Sequence, residues 1–233
     1  MSVTGEVDGE PQRAGFPAGD ITAGMLACTS ILAALHVRDR TGKGQHIDIS
    51  LFESAVSLLG NVSSNYLISG EDAQRYANGH PNIVPYQSFR TLDGYIVVTC
   101  GNDHLYQRLC QILDRPDLAD DARFSTNPLR IHNRDALVPQ LQDCFLRRTS
   151  EDWLAGLRAA GIPCGPINTI SQVFHDPQIQ ARNFVWECDH PTAGKIHLSG
   201  SPLHLMDTPP RLYKAPPLLG EDNAMLESTS IDF

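Results

Sequence analysis

The segment from Asp20 to Leu35 most constrains what this chain can fold into. Ile21, Met25, Cys28, Leu32 and Leu35 fall on one helical stripe, and Ala23, Ala27, Ile31 and Ala34 make the flank apolar as well. Such a helix is expected to be buried on more than one side, so the chain has to supply layers that cover it. The basic run Arg38 to Arg40 and the turn Thr41-Gly42-Lys43-Gly44 end it. Ile47, Ile49 and Leu51 then alternate with His46, Asp48 and Ser50 as in a strand. Ser50 with Glu53 makes a capping-box pattern that opens a helix over 51–59. Helix, tight turn, strand and helix in close order predict α/β architecture.

A composition shift at Gly79 to Pro85 marks the start of a second, smaller domain. Tyr86 to Thr91 and Tyr95 to Thr99 flank Leu92-Asp93-Gly94, a hairpin signal. Helical patterns follow at 103–113, 133–147 and 150–160, with Pro139 interrupting the second and Gly161 and Pro163 ending the third. From Gly165 the chain is proline-rich, with a β-like run at Lys195 to Leu198 and loops at Pro202 and at Thr208 to Pro217. The predicted division is therefore 1–80, the remnant of a large α/β domain; 81–168, a small α+β domain; and 169–233, a segment returning to the large domain. No repeat of 20–50 residues and no heptad seam is present.

Charge and cysteine usage remove several function classes. The 27 acidic and 18 basic residues give a net charge of -9, and the basic residues are scattered, which argues against a nucleic-acid partner. No stretch approaches the roughly 20 apolar residues that span a bilayer, and Met1 to Gly15 is acidic and polar, so a soluble chain without a membrane partner is expected. The six cysteines (Cys28, Cys100, Cys110, Cys144, Cys164 and Cys188) are widely spaced, unlike a disulfide framework or a zinc site. No metal is expected, and a reducing compartment, cytoplasm or mitochondrial matrix, fits best.

G-x-S-x-G, H-E-x-x-H, Walker and G-x-G-x-x-G patterns are all absent, so hydrolase, zincin and nucleotide-loop readings lose support together. What remains is one carboxylate in an unusual setting, Gly19-Asp20-Ile21-Thr22-Ala23-Gly24, at the start of the apolar helix. Asp20 can be a helix N-cap, contributing typically about 1 kcal/mol. It can also be a nucleophile, because a helix N-terminus favours an ionised carboxylate and flanking glycines let a bulky substrate approach.

Gly15-Phe16-Pro17-Ala18-Gly19-Asp20-Ile21-Thr22-Ala23-Gly24, Ile31-Leu32-Ala33-Ala34-Leu35 and Thr41-Gly42-Lys43-Gly44-Gln45 resemble the catalytic-aspartate segment of family III CoA transferases. Pro85-Tyr86-Gln87-Ser88-Phe89, Asp93 to Val98, Ala160 to Ile167 and Pro217 to Glu221 are similar to the same family. Asn65-Tyr66-Leu67 and His80 to Tyr86 are closest to its dicarboxylate-using branch, the succinate and hydroxymethylglutarate CoA transferases. His80 itself also reads as a polar loop residue before a proline, with no proton to move.

The resemblance implies a fold: α/β, the C-terminal part of the family III CoA-transferase fold, with an incomplete Rossmann-like large domain and a smaller α+β domain. It implies Asp20 as the catalytic residue, with CoA contacts at Gly19, Leu51 and Gly101. The loop Gly101-Asn102-Asp103 would close over the intermediate, though the same residues read equally as a hairpin exit and helix cap. It also implies acyl-CoA and carboxylate substrates, no tightly bound cofactor, and an interlocked homodimer in the full-length form.

In the implied reaction CoA passes from an acyl-CoA donor to an acid through an aspartyl anhydride and an aspartyl-CoA thioester. Family members carry an upstream α/β half that supplies most CoA contacts; the chain is expected to lack it and to be abbreviated after Gly220-Glu221. An inactive product serving only as an assembly partner is therefore one alternative. The other is an α-methylacyl-CoA racemase, in which the aspartate moves a proton. Ile21-Thr22-Ala23 stands where those enzymes carry a run of glycines, which favours transfer.

Overall fold

The computed structural model describes residues 1–228, which fall into two compact units, Met1–Pro166 and Ile167 onward. In the first unit, helix α1 spans Ala18–Thr41, α2 Leu51–Ser57 and α3 Asn61–Ser69. Helix α1 stops where Gly42 takes the left-handed conformation (φ 71°) and donates its N–H to the Arg38 carbonyl at 2.7 Å. Only glycine reaches that geometry without strain.

Two expectations fail in this region. Residues 43–50 form no regular element and pair with no other strand, because no neighbouring backbone among the described residues offers a ladder. No residue of α1 is buried. Its half-buried positions are small (Ala18, Gly19, Thr22, Ala23, Ala27, Ser30, Ala34) and recur at helical spacing, whereas Met25 and Leu32 stand 65% and 62% exposed. The apolar stripe that predicts burial finds no layer here, since the element in firm contact with α1 is the seven-residue α2.

The expectation about bilayer-length segments is also corrected. Among the described residues α1 is long and apolar enough to cross a membrane by length and composition. Thr, Ser and Gly interrupt its apolar run without adding charge, and Asp20 and Arg38 bound it. The core helix of a soluble protein has the same length and composition. A dye that fluoresces on apolar surface should bind the chain, and Leu32→Gln with Leu35→Gln should reduce that signal. Both side chains are exposed, so stability should move by less than about 0.5 kcal/mol. Unchanged fluorescence would place the sticky surface elsewhere.

The hydrophobic core lies entirely between Val84 and Ile162. Strands β1 (Tyr86–Arg90), β2 (Tyr95–Thr99) and β3 (Cys164–Pro166) form an antiparallel sheet in the order β1-β2-β3, with Phe89 opposite Ile96 and Val98 opposite Cys164. Ile96 and Val98 are fully buried while Tyr95, Val97 and Thr99 are not, the period-two alternation of a half-covered sheet. The hairpin turn is tied down by Asp93, whose carboxylate accepts the Ser150 N–H at 2.7 Å.

Helices cover the buried face: α4 (Asp103–Ile112), α5 (Pro116–Asp120), a 3₁₀ turn at Ala122–Phe124, α6 (Asn127–His132), α7 (Arg134–Phe145) and α8 (Ser150–Ala159). Pro139 does not interrupt α7, because Leu137, Leu141, Cys144 and Phe145 anchor both sides of it in the core. Phe145 packs on Phe89 with ring centroids 4.6 Å apart and on the Trp153 edge at 5.2 Å, and Trp153 donates its indole N–H to the Phe145 carbonyl at 2.8 Å. Gly161 ends α8 with φ 68°.

The second unit holds α9 (Ile170–Phe174), α10 (Pro177–Ala181), the antiparallel pair β4 (Val185–His190) and β5 (Gly194–Ser199), and α11 (Asn223–Ser228). The expected run at Lys195 to Leu198 is β5. Its partner β4 carries Glu187, which accepts from Lys195 at 2.6 Å across the hairpin.

Candidate functional site

The start of α1 is built without a side-chain cap. Pro17 occupies the N-cap position, the Ala18 N–H reaches the Phe16 carbonyl at 2.9 Å, and the Ile21 N–H reaches the Pro17 carbonyl at 3.1 Å. The helix therefore begins two residues before Asp20, which stands in the first turn instead of at the cap. Its carboxylate is exposed and makes no hydrogen bond or ion pair among the described residues. The capping reading of Asp20 is thus overturned, and the carboxylate is left available beside the positive end of a 24-residue helix.

Gly19 faces α2: a Cβ on it would sit 3.8 Å from the Ala55 side chain, an ordinary contact. Packing against α2 does not demand glycine there. Leu51 opens α2 one turn before Ala55 and is 58% exposed, while Ser50 caps the helix by accepting the Glu53 N–H at 3.2 Å. The structure thus brings the start of α1 against α2, the helix that carries Leu51.

Gly101 belongs to a different neighbourhood. It links β2 to α4 in the unit's core region, no atom lies within 4 Å of where its Cβ would be, and no hydrogen bond joins it to α1 or α2 among the described residues. Asn102 is a helix cap, accepting the Leu105 N–H at 2.9 Å. The neighbouring Cys100 is no alternative nucleophile: burial pushes its thiol up to about 12, and that of Cys110 to about 11.

Sequence reasoning missed a polar face that fixes the segment His80 to Val84. Asn127, Arg130 and Arg134 recur at spacings of three and four, one side of a helical path through α6 and α7. Arg134 Nη2 donates to the carbonyls of His80 (2.6 Å) and Pro81 (3.1 Å). Asn127 Nδ2 donates to the Asn82 carbonyl at 2.9 Å and its Oδ1 accepts the Val84 N–H at 3.0 Å. Arg130, fully buried, donates from Nε to the Val84 carbonyl at 2.7 Å.

Arg130 also donates to the Phe124 carbonyl (3.0 Å) and to Asp103 (2.9 Å), with its guanidinium over the Tyr106 ring at 4.4 Å. The legible signal was the alternation of Arg with Leu129 and Ile131 in a short helical run.

Within the clamped segment, His80 Nδ1 accepts the Asn82 N–H at 3.1 Å, and its ring stacks on Tyr86 with centroids 5.1 Å apart. Asn65 of α3 and the pair Pro81 and Asn82 line one cavity of about 360 Å³, so the two segments singled out for the dicarboxylate branch meet at one place.

The family model for CoA-transferase family III matches residues 1–223. Succinyl-CoA:glutarate CoA-transferase of Homo sapiens is 42% identical over 200 residues, covering 86% of this chain and 46% of that protein. Succinyl-CoA:mesaconate CoA-transferase of Haloarcula hispanica is 36% identical over 227 residues, covering 97% of this chain and 57% of that protein. The crystal structure of a CAIB/BAIF family protein from Brucella suis superposes with a TM-score of 0.81 at 40% identity, over 98% of this chain and 59% of that one. The chain spans about half the length of the curated relatives it matches.

Proposed function

Because this chain belongs to CoA-transferase family III, we propose that it moves coenzyme A from an acyl-CoA donor to a carboxylic acid, and specifically to a dicarboxylic acid, with Asp20 as the acyl-carrying residue. The observation that carries the reading is the unpartnered Asp20 carboxylate in the first turn of α1, inside the segment the family model matches. The dicarboxylate preference is supported by relatives named for succinate with glutarate or mesaconate. Those names also favour transfer over proton movement at the carbon beside the thioester.

The steps balance without an external energy source. An Asp20 oxygen attacks the thioester carbonyl carbon, a C–O bond forms, the C–S bond breaks, and CoA leaves as thiolate. The thiolate then attacks the aspartyl carbonyl of the anhydride, releasing the donor acid and leaving an aspartyl-CoA thioester. The acceptor carboxylate attacks that thioester, forming a second anhydride and freeing thiolate again. Attack of the thiolate on the acceptor's acyl carbon restores Asp20 and yields the new acyl-CoA. In the net reaction one acyl-CoA thioester is broken and one is made.

The protein's task is to hold the reactants in register and to keep water from the anhydrides. Open backbone at Gly101 beyond β2 suits approach of a bulky thioester. An interlocked homodimer is the partner reading that fits the exposed apolar residues of α1.

The test is isotopic. Acceptor acid labelled with oxygen-18 should leave label in the Asp20 side chain after turnover, seen by mass spectrometry of the peptide containing it. Turnover with no label at Asp20 would sink the nucleophile assignment.

A further inference from the structure

Beside the turn at residues 76–79 lies a cavity of about 480 Å³ lined by Tyr76, Asn78, Gly79, Gln87, Arg134 and Asp135, among others. Arg134 is its cation. Both Nη2 hydrogens are engaged by the carbonyls of His80 and Pro81, which fixes the plane of the guanidinium. The face of Tyr76 lies 5.4 Å from it. Gly79 permits this placement, because a Cβ there would fall 2.9 Å from Nη1 and 3.1 Å from the Tyr76 carbonyl.

A guanidinium has five N–H donors, and the three on Nε and Nη1 have no acceptor among the described residues. No carboxylate lies within 4.0 Å, although Asp135 is on the same wall. Burial pulls the Arg134 guanidinium below its ordinary value, and the neighbouring Tyr76 and Asp135 offset that only in part. The side-chain amides of Asn78 and Gln87 line the same space and are also without hydrogen-bond partners among the described residues.

We propose that this cavity is a carboxylate site, in which Arg134, helped by the amides of Gln87 and Asn78, receives one carboxylate of a dicarboxylic acid. The proposal rests on the transferase reading and deepens it. A charge-assisted hydrogen bond from a partly buried arginine is stronger than a neutral one, so the site favours a free carboxylate over an ester. Asp135 opposes the bound anion and moderates its affinity.

Calorimetric titration of the 233-residue chain with glutarate, its dimethyl ester and inorganic phosphate separates the possibilities. Glutarate should bind, the ester at least about tenfold more weakly, Arg134→Gln should lower glutarate affinity by a similar factor, and Asp135→Asn should raise it. Equal binding of ester and diacid, or unchanged affinity in Arg134→Gln, overturns the proposal. Phosphate binding as tight as glutarate overturns the carboxylate assignment in favour of a phosphate group. Should Arg134→Gln fail to fold, Gln87→Leu removes a lining donor while leaving the loop clamp intact, and unchanged glutarate affinity there overturns the proposal as well. Oxygen-18 labelling of Asp20 is read separately: label without Arg134-dependent binding defeats this inference alone, and binding without label defeats the transfer reading.

Discussion

Asp20→Asn is expected to lower acyl transfer by on the order of 10⁴-fold or more while leaving the melting temperature unchanged. The amide keeps the shape of the carboxylate but cannot attack a thioester carbon, so the loss falls on the chemical step. Stability should hold within about 0.5 kcal/mol, because the carboxylate is exposed and bonds to nothing that its removal would orphan. Asp20→Glu keeps the charge but moves the oxygens by one methylene, and a displacement of about 1 Å is enough to cost on the order of 10²-fold. The pair separates nucleophile from charge: equal losses in both variants would fit positioning, whereas a normal rate in Asp20→Asn would end the assignment.

Why the core was legible and the α1 region less so follows from where each element finds its partners. The hairpin 86–99 and helices α4 and α8 are locally determined, with alternation in β2, a cap at Asn102, and Gly161 at a stop. Their buried partners all lie between Val84 and Ile162, and the sheet is completed just beyond, by Cys164–Pro166. Residues 46–51 alternate equally well, yet alternation states only that a strand fits, and a ladder requires a second backbone. Likewise the stripe on α1 records what the helix is suited to bury, whereas burial itself depends on layers beyond its own sequence.

The candidate site divides in the same way. Asp20 was legible because an acidic residue between glycines at the head of an apolar helix is an uncommon local pattern. Its freedom from capping was not, since that depended on Pro17 taking the N-cap position three residues earlier. Arg134 and Arg130 were invisible as site-builders because their partners are carbonyls some fifty residues away, and a backbone carbonyl carries no side-chain signal in a sequence.

Arg130→Met should be the most damaging single change to the first unit's core. A fully buried guanidinium donates to the Val84 and Phe124 carbonyls, pairs with Asp103 and lies over Tyr106. Methionine fills much of the space but donates nothing, so two carbonyls lose their charged donor and the segment carrying His80 loses one of its anchors. Leaving those two carbonyls without a donor costs about 1–3 kcal/mol each, which for a unit of this size corresponds to a fall in melting temperature on the order of 10 °C.

Asp103→Asn makes the contrast. Its side chain is 50% exposed and the amide oxygen still accepts from Arg130, so the loss should stay below about 1 kcal/mol. If the two variants melted alike, the ion pair would be the dominant interaction and the carbonyl contacts incidental. A much larger drop for Arg130→Met assigns the stability to the backbone clamp, the same contacts that hold His80 to Val84 in place beside the cavities.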